Sequence, residues 1–165
     1  MNIRREGPQD VDAVRLVNER AFGQPDEARI VDALRGLADA ISLVAVIDHQ
    51  VVGHILFTPV SIDDADSRLS AAGLAPMAVL PEFQRRGIGS ALVNAGLDAC
   101  RAAGCDLVVV LGHPDFYPRF GFVVAAAHGL RCEYPAPPEA FMVIELRSGS
   151  LAQARGLVRY RPEFS

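Results

Sequence analysis

The chain contains no tryptophan, and aromatic residues make up only 7% of its 165 positions. That scarcity does not exclude a core. Half of the residues are hydrophobic, so aliphatic side chains supply the apolar volume, as in ordinary globular composition. There are three cysteines, Cys100, Cys105 and Cys132, and none stands at metal-ligand spacing, so no metal is expected. Their odd number, and the lack of an apolar run after Met1–Glu6 that would make a signal peptide, point to a reducing cytoplasmic setting. Nowhere is there an apolar run long enough to span a bilayer, so no membrane partner is expected. Positive charge is not in excess either. The net charge is −4, which gives no electrostatic reason to expect a nucleic-acid partner. Any anion this chain binds must be held by local positive potential.

Such a place exists. Gln84-Arg85-Arg86-Gly87-Ile88-Gly89-Ser90 follows an apolar, strand-like run (Leu74–Leu80) and opens an amphipathic helix (Ala91–Ala103). Strand, glycine turn and helix start together make an anion site from backbone. Successive N–H groups converge there, and the helix macrodipole adds partial positive charge. Glycine allows positive φ and a close approach. Arg85 and Arg86 add full charges on fork-shaped donors. A pyrophosphate is expected here. The spacing is not the dinucleotide fingerprint, which needs three glycines and a later acidic residue. It is not a Walker A loop either, since no Lys-Ser/Thr pair follows the last glycine.

The remaining pattern predicts one domain over residues 1–165, with a core to about residue 147 and an irregular tail over 148–165. Asn2–Glu6 reads as a first strand. Asp10 caps a helix carrying Val11, Val14, Leu16, Val17 and Phe22, and Asp26 caps a second with Ile30, Val31, Leu34 and Leu37. Ile41–Ile47 and Val51–Ile62 form a hairpin, followed by an acidic loop over Asp63–Arg68. Ser70–Leu80 is a strand and Gly87–Ala103 a helix. Asp106–Leu111 is a continuous apolar run, as in a strand covered on both faces. Pro114–Phe120 is a short helix or turn, and Phe122–Ala127 and Phe141–Leu146 are strands. The order implies an α/β fold of the α+β kind, with early antiparallel hairpins and one parallel crossover from Ser70–Leu80 to Asp106–Leu111. Pro76 cannot donate to a ladder, so a bulge or splay is expected there.

The segment Gln84–Gly89 fits Gln/Arg-x-x-Gly-x-Gly/Ala after a strand, and so resembles the acetyl-CoA motif of the GNAT N-acetyltransferase superfamily. The later Phe116-Tyr117-Pro118-Arg119-Phe120-Gly121-Phe122 resembles that family's Tyr-x-x-x-Gly-Phe segment. The likeness runs from the first strand to about Leu146 and is closest to small bacterial N-acetyltransferases. It implies the GNAT acyl-CoA N-acyltransferase fold, a splayed mixed β-sheet flanked by helices. It also implies acetyl-CoA as cosubstrate. The reaction would be direct attack of a primary amine, on a small molecule or a peptide, through a tetrahedral intermediate. Relatives are commonly homodimers, and the sequence itself does not set an oligomeric state.

The resemblance assigns roles residue by residue. Met77, Ala78 and Val79 would pair with the pantetheine arm as with an added strand. The N–H groups of Arg85, Arg86, Gly87, Ile88, Gly89 and Ser90 would face the diphosphate. Gln84 and Arg86 would reach phosphate or adenosine with side-chain donors. The N–H of Val79 or a neighbour would stabilise the oxyanion. Tyr117 would donate a proton or hydrogen bond to the leaving thiolate, whose thiol has a pKa near ~8.5. Its structural alternative is packing on Phe116 and Phe120. One departure stands out: Leu74–Leu80 carries no acidic residue to serve as a general base. Glu27, His54 and His113 remain as candidates beside a water chain, with His113 ranked first for its place at the C-terminal end of a strand. Two rivals remain open, a non-catalytic CoA or acyl-CoA sensor and a transferase of longer acyl groups or to a hydroxyl.

Overall fold

A computed structural model describes residues 1–165 as two compact units that the chain visits alternately. The first comprises Met1–Phe57 and Ala75–Asp98, the second Thr58–Leu74 and Ala99–Ser165. None of the helices is long and apolar enough to cross a membrane.

In the first unit, β1 (Asn2–Arg5) runs antiparallel to β2 (Ile41–Ile47), from Asn2↔Val46 to Arg5↔Leu43. β2 pairs with the first half of β3 (Gln50–Ala65), from Ile41↔Phe57 to Ile47↔Gln50. Asp48 and His49 make the connecting turn with φ of 48° and 66°, the left-handed pair that a tight hairpin requires. Helix α1 (Val11–Phe22) buries Val14, Val17 and Asn18 at helical spacing. Leu16 and Phe22, expected on that stripe, are 52% and 41% exposed; each lies off the buried arc. The Asp10 carboxylate does not cap α1. It accepts from the Gly7 N–H at 2.7 Å and from both ends of the Arg4 guanidinium. Pro25, not Asp26, occupies the N-cap of α2 (Asp26–Leu34). The first part of α3 (Ile88–Ala102) packs closely on the sheet because Gly96 has no side chain. A Cβ there would lie 2.3 Å from the Phe57 ring, well inside contact distance.

In the second unit, the first half of β4 (Ala71–Val79) is parallel to β5 (Leu107–Leu111), from Ala71↔Leu107 to Leu74↔Val110. β5 pairs antiparallel with β8 (Phe141–Glu145), and β8 with β6 (Val123–Val124). Leu107–Val110 is fully buried, as its unbroken apolar run requires. A smaller sheet was not anticipated. The tail expected to be irregular contributes β9 (Ala154–Arg159), antiparallel to the second half of β3 and parallel to β7 (Leu130–Cys132). Ala154, Val158 and Leu130 then join Leu107, Val109 and Val143 in one core. Pairing with β9 also carries β3 through Asp63 and Asp64 to Ala65, and Asp63 accepts from Arg159 Nε at 3.0 Å. Asp63 and Asp64, expected in the acidic loop, are therefore strand, and the loop shortens to the turn that starts at Asp66. The strand expected over Phe122–Ala127 shrinks to β6, because Ala125–His128 turns into a 3-10 helix closed by left-handed Gly129.

Candidate active site

The first unit holds the turn expected to bind an anion. Ladder pairing of β4 to β5 stops at Leu74, two residues before Pro76, which has no N–H to offer; the Ala75–Pro76 bond is cis. Met77, Ala78 and Val79 complete β4, with Ala78 buried and its two neighbours half-buried. The chain then makes a 3-10 turn at Pro81–Phe83, closed by the Phe83 N–H donating to Leu80 O at 2.8 Å. The Gln84 side chain folds back, and its Nε2 donates to Val79 O at 3.0 Å. Arg85 and Gly87 both take left-handed φ, 64° and 82°. For Gly87 this is free. For Arg85 it is a conformation that non-glycine residues rarely hold unless the surroundings fix it. Helix α3 starts at Ile88, whose side chain is buried, and Ala91 N–H donates to Gly87 O at 3.0 Å. No acidic residue lies in the first turn of α3, so nothing there opposes the positive end of its dipole. The Arg86 guanidinium lies 5.2 Å from the centre of the Phe83 ring, a cation–π distance. All seven residues from Gln84 to Ser90 thus form one continuous turn and helix start.

The second unit holds the tyrosine. Beyond β5, Gly112 N–H donates to Ala140 O at 2.9 Å, and His113 O accepts from Phe116 N at 3.1 Å and Tyr117 N at 3.5 Å. His113 and Tyr117 therefore belong to one turn, His113 exposed and Tyr117 only 6% exposed. The Tyr117 ring sits edge-on to Phe116 at 5.0 Å and to Phe122 at 5.5 Å, and tilted to Phe120 at 6.5 Å. Burial pushes its phenol up to about 12, so the hydroxyl stays protonated and keeps a proton to donate. Gly112 makes room for it: a Cβ at that position would lie 2.5 Å from Tyr117 Cε2. A cavity of about 770 Å³, lined by Val123, Val143, Glu145 and Arg155 among others, contains none of the residues expected in the site. No group of three or more His, Cys, Asp or Glu side chains is arranged to hold a metal ion.

Known proteins share this fold. A family model described as an acetyltransferase (GNAT) domain matches residues 2–125. The chain belongs to the GNAT N-acetyltransferase family. It is 39% identical, over all of its own length and 99% of the relative's, to the uncharacterized N-acetyltransferase YhbS of Escherichia coli K12. The crystal structure of E. coli YhbS in complex with CoA superposes with a TM-score of 0.92 at 38% identity, covering 99% of this chain and 91% of that one. A GNAT family acetyltransferase from Brucella melitensis, in complex with acetyl-CoA, gives a TM-score of 0.81 at 37% identity, covering 99% and 97% of the two chains.

A GNAT acetyltransferase has to handle the amine's proton, and the structure separates the three candidate bases. His54 is fully buried on β3, and both ring nitrogens are engaged. Ser42 Oγ donates its single proton to Glu6 Oε1 at 2.6 Å, so His54 Nε2, 2.8 Å from that oxygen, must be the donor. His54 Nδ1 is then the acceptor for Asn18 Nδ2 at 3.2 Å. Burial and the nearby Arg35 charge push the imidazole down to about 3. It is a satisfied core histidine, not a base. Glu27 receives both of its hydrogen bonds from Gln24 Nε2, at 3.0 and 3.2 Å. His113 alone stands exposed on the turn that carries Tyr117. No pattern in the chain points to Gly112, whose role depends on where the Tyr117 ring comes to rest. The Asn18–His54–Ser42–Glu6 chain was equally hidden, since its members are scattered over four elements or their flanks.

Proposed function

We propose that this GNAT N-acetyltransferase moves the acetyl group of acetyl-CoA onto a primary amine of a small molecule or peptide, by direct attack through a tetrahedral intermediate. The carrying observation is the unbroken run from the end of β4 through Arg85 and Gly87 to the acid-free N-terminus of α3. Backbone N–H groups of Arg85 to Ser90 hold the pyrophosphate, with the two guanidinium groups beside them. The Met77–Val79 backbone pairs with the pantetheine amides, and the Val79 N–H stabilises the oxyanion.

Tyr117 serves the leaving thiolate. A phenol near 12 lies above a thiol near ~8.5, so complete proton loss to sulfur is uphill. The role that fits is hydrogen-bond donation to sulfur as negative charge develops, the phenol regaining from the ammonium whatever it gives up. His113 takes one proton from the substrate ammonium, and the neutral amine that results attacks the thioester carbonyl. The carbon–sulfur bond breaks as the carbon–nitrogen bond becomes an amide, and CoA leaves as the thiol.

Two measurements on the full chain test this. Calorimetry should detect association with CoA and acetyl-CoA, and Gly89→Asp should abolish it while far-UV circular dichroism stays native-like. A panel of amines should then give thiol release from acetyl-CoA. CoA binding without turnover on any amine would support the sensor reading instead, and a folded Gly89→Asp that binds CoA normally would remove the pyrophosphate from this loop.

A further inference from the structure

The anion loop is held from outside by an ion pair that none of its motif residues supplies. Glu82, in the 3-10 turn just before Gln84, receives both arms of the Arg20 guanidinium, Nη1 to Oε1 at 2.7 Å and Nη2 to Oε2 at 2.8 Å. This is the two-pronged geometry in which arginine fixes direction as well as charge. Arg20 lies in the last turn of α1, where the helix dipole favours a cation. The pair joins positions 62 residues apart, both within the first unit. Arg20 also draws the Glu82 carboxyl below its ordinary range, chiefly through that hydrogen bond.

Two features make the tie matter for binding. Glu82 is a carboxylate two residues from the start of the pyrophosphate turn, and left free it would repel the ligand. Bound to Arg20, it leaves Arg85 and Arg86 to face the diphosphate with their charge undiminished. In addition, Arg85 holds a left-handed φ of 64°, which persists only where neighbouring structure fixes it. The local ties are short-range: Gln84 Nε2 to Val79 O, Phe83 N–H to Leu80 O, and Arg86 against Phe83. A backbone bond from Leu80 N–H to Val52 O at 2.9 Å fixes the start of the turn on β3, and Arg20–Glu82 is the side-chain tie that anchors it to α1.

We propose that Arg20 is a positioning residue for the pyrophosphate of CoA. Through Glu82 it holds the Gln84–Gly87 turn in the shape that directs its N–H groups at the anion. The inference rests on the loop being the pyrophosphate site.

Charge and position predict opposite outcomes at Glu82. Glu82→Ala removes a negative charge beside an anion site, so on charge alone CoA should bind as well or better. If the ion pair positions the turn, Glu82→Ala weakens CoA by roughly tenfold, in the range expected when a support behind a binding group is lost. Arg20→Ala should weaken it at least as much. Arg20→Lys, which keeps the charge but not the fork, should recover part of the loss. Calorimetry with CoA reads the affinity. Inorganic pyrophosphate competing with CoA should weaken by the same factor. Pantetheine, which lacks the diphosphate, should bind within about twofold of wild type, a selectivity that general damage to the fold would not produce. Unchanged or tighter CoA binding in a folded Glu82→Ala overturns the proposal, as does equal loss of pantetheine. If Gly89→Asp loses CoA while Glu82→Ala keeps it, only the positioning role fails. If Gly89→Asp keeps CoA, the loop assignment fails first.

Discussion

Two buried rings, one in each unit, are held neutral for different ends. His54 in the first unit is pushed down to about 3 and Tyr117 in the second is pushed up to about 12, both chiefly by loss of water. Burial penalises the charged form of each, so the shifts run in opposite directions from one cause. The surroundings differ. His54 sits in a directed chain: Asn18 donates to it, it donates to Ser42, Ser42 donates to Glu6, and Glu6 also accepts from Arg35. Tyr117 is ringed by Phe116, Phe120 and Phe122. A ring whose polar atoms are all taken is a structural part. A phenol walled by aromatic edges keeps its proton, which is what its proposed role requires.

Tyr117→Phe separates these roles most sharply and carries the largest expected effect. The ring and its aromatic contacts survive, so the melting temperature should hold within a few degrees. Loss of the donor to the leaving sulfur should lower kcat by about 100-fold or more, with CoA affinity little changed. Steady-state thiol release against thermal melting checks this. An unchanged kcat would assign Tyr117 to packing alone.

His54→Leu should do the reverse. It strips Asn18 and Ser42 of a partner in a dry interior, costing about 2 kcal/mol of stability, while kcat per folded molecule stays near wild type. The pH dependence adds a second reading. The unfolded imidazole takes up a proton near pH 6.5, whereas the folded one resists until about 3. The stability from the neutral histidine is therefore complete above pH 6.5. It falls as pH drops toward 3, by up to about 1.4 kcal/mol per pH unit. His54→Leu lacks that slope, so urea midpoints of the two proteins should converge on acidification. A gap that stays constant from pH 7 to 4 would mean the histidine is not held neutral.

Gly112→Ala comes next in size. Its Cβ would meet the Tyr117 ring at 2.5 Å, and the ring has to move. Overpacking of this kind costs about 1–3 kcal/mol, and the shift of the phenol should reduce kcat with CoA affinity preserved. A variant with wild-type kcat would show that the ring's resting place is not the one used in turnover.

The turn and helix start at Gln84–Ser90 were legible because they are local: glycines and helix start are contiguous, and period and composition report on them directly. The same holds for β2 and β5, whose apolar patterns match their buried faces. β9 was not legible. Its sequence, Ala154 to Arg159, alternates weakly, and it becomes a strand only because distant β3 and β7 lie on either side. Leu16 and Phe22 misled for a similar reason, since apolar type marks a candidate for burial and geometry selects among candidates. Of the proposed site, Tyr117 could be named from its motif. Gly112 and Arg20 could not, because what each touches is set by tertiary structure.

The smallest expected effect concerns Glu27. Its helix led it to be weighed as the base, yet both of its hydrogen bonds come from Gln24 in the preceding turn. A carboxylate so close to a same-chain amide acts as a local brace, and exposed braces of this kind contribute little. Glu27→Gln should therefore keep kcat within about twofold and leave the pH profile of turnover in place, whereas His113→Gln should flatten its acidic limb if His113 accepts the amine's proton. A large loss in Glu27→Gln, with the acidic limb abolished, would transfer the base from the Tyr117 turn to α2.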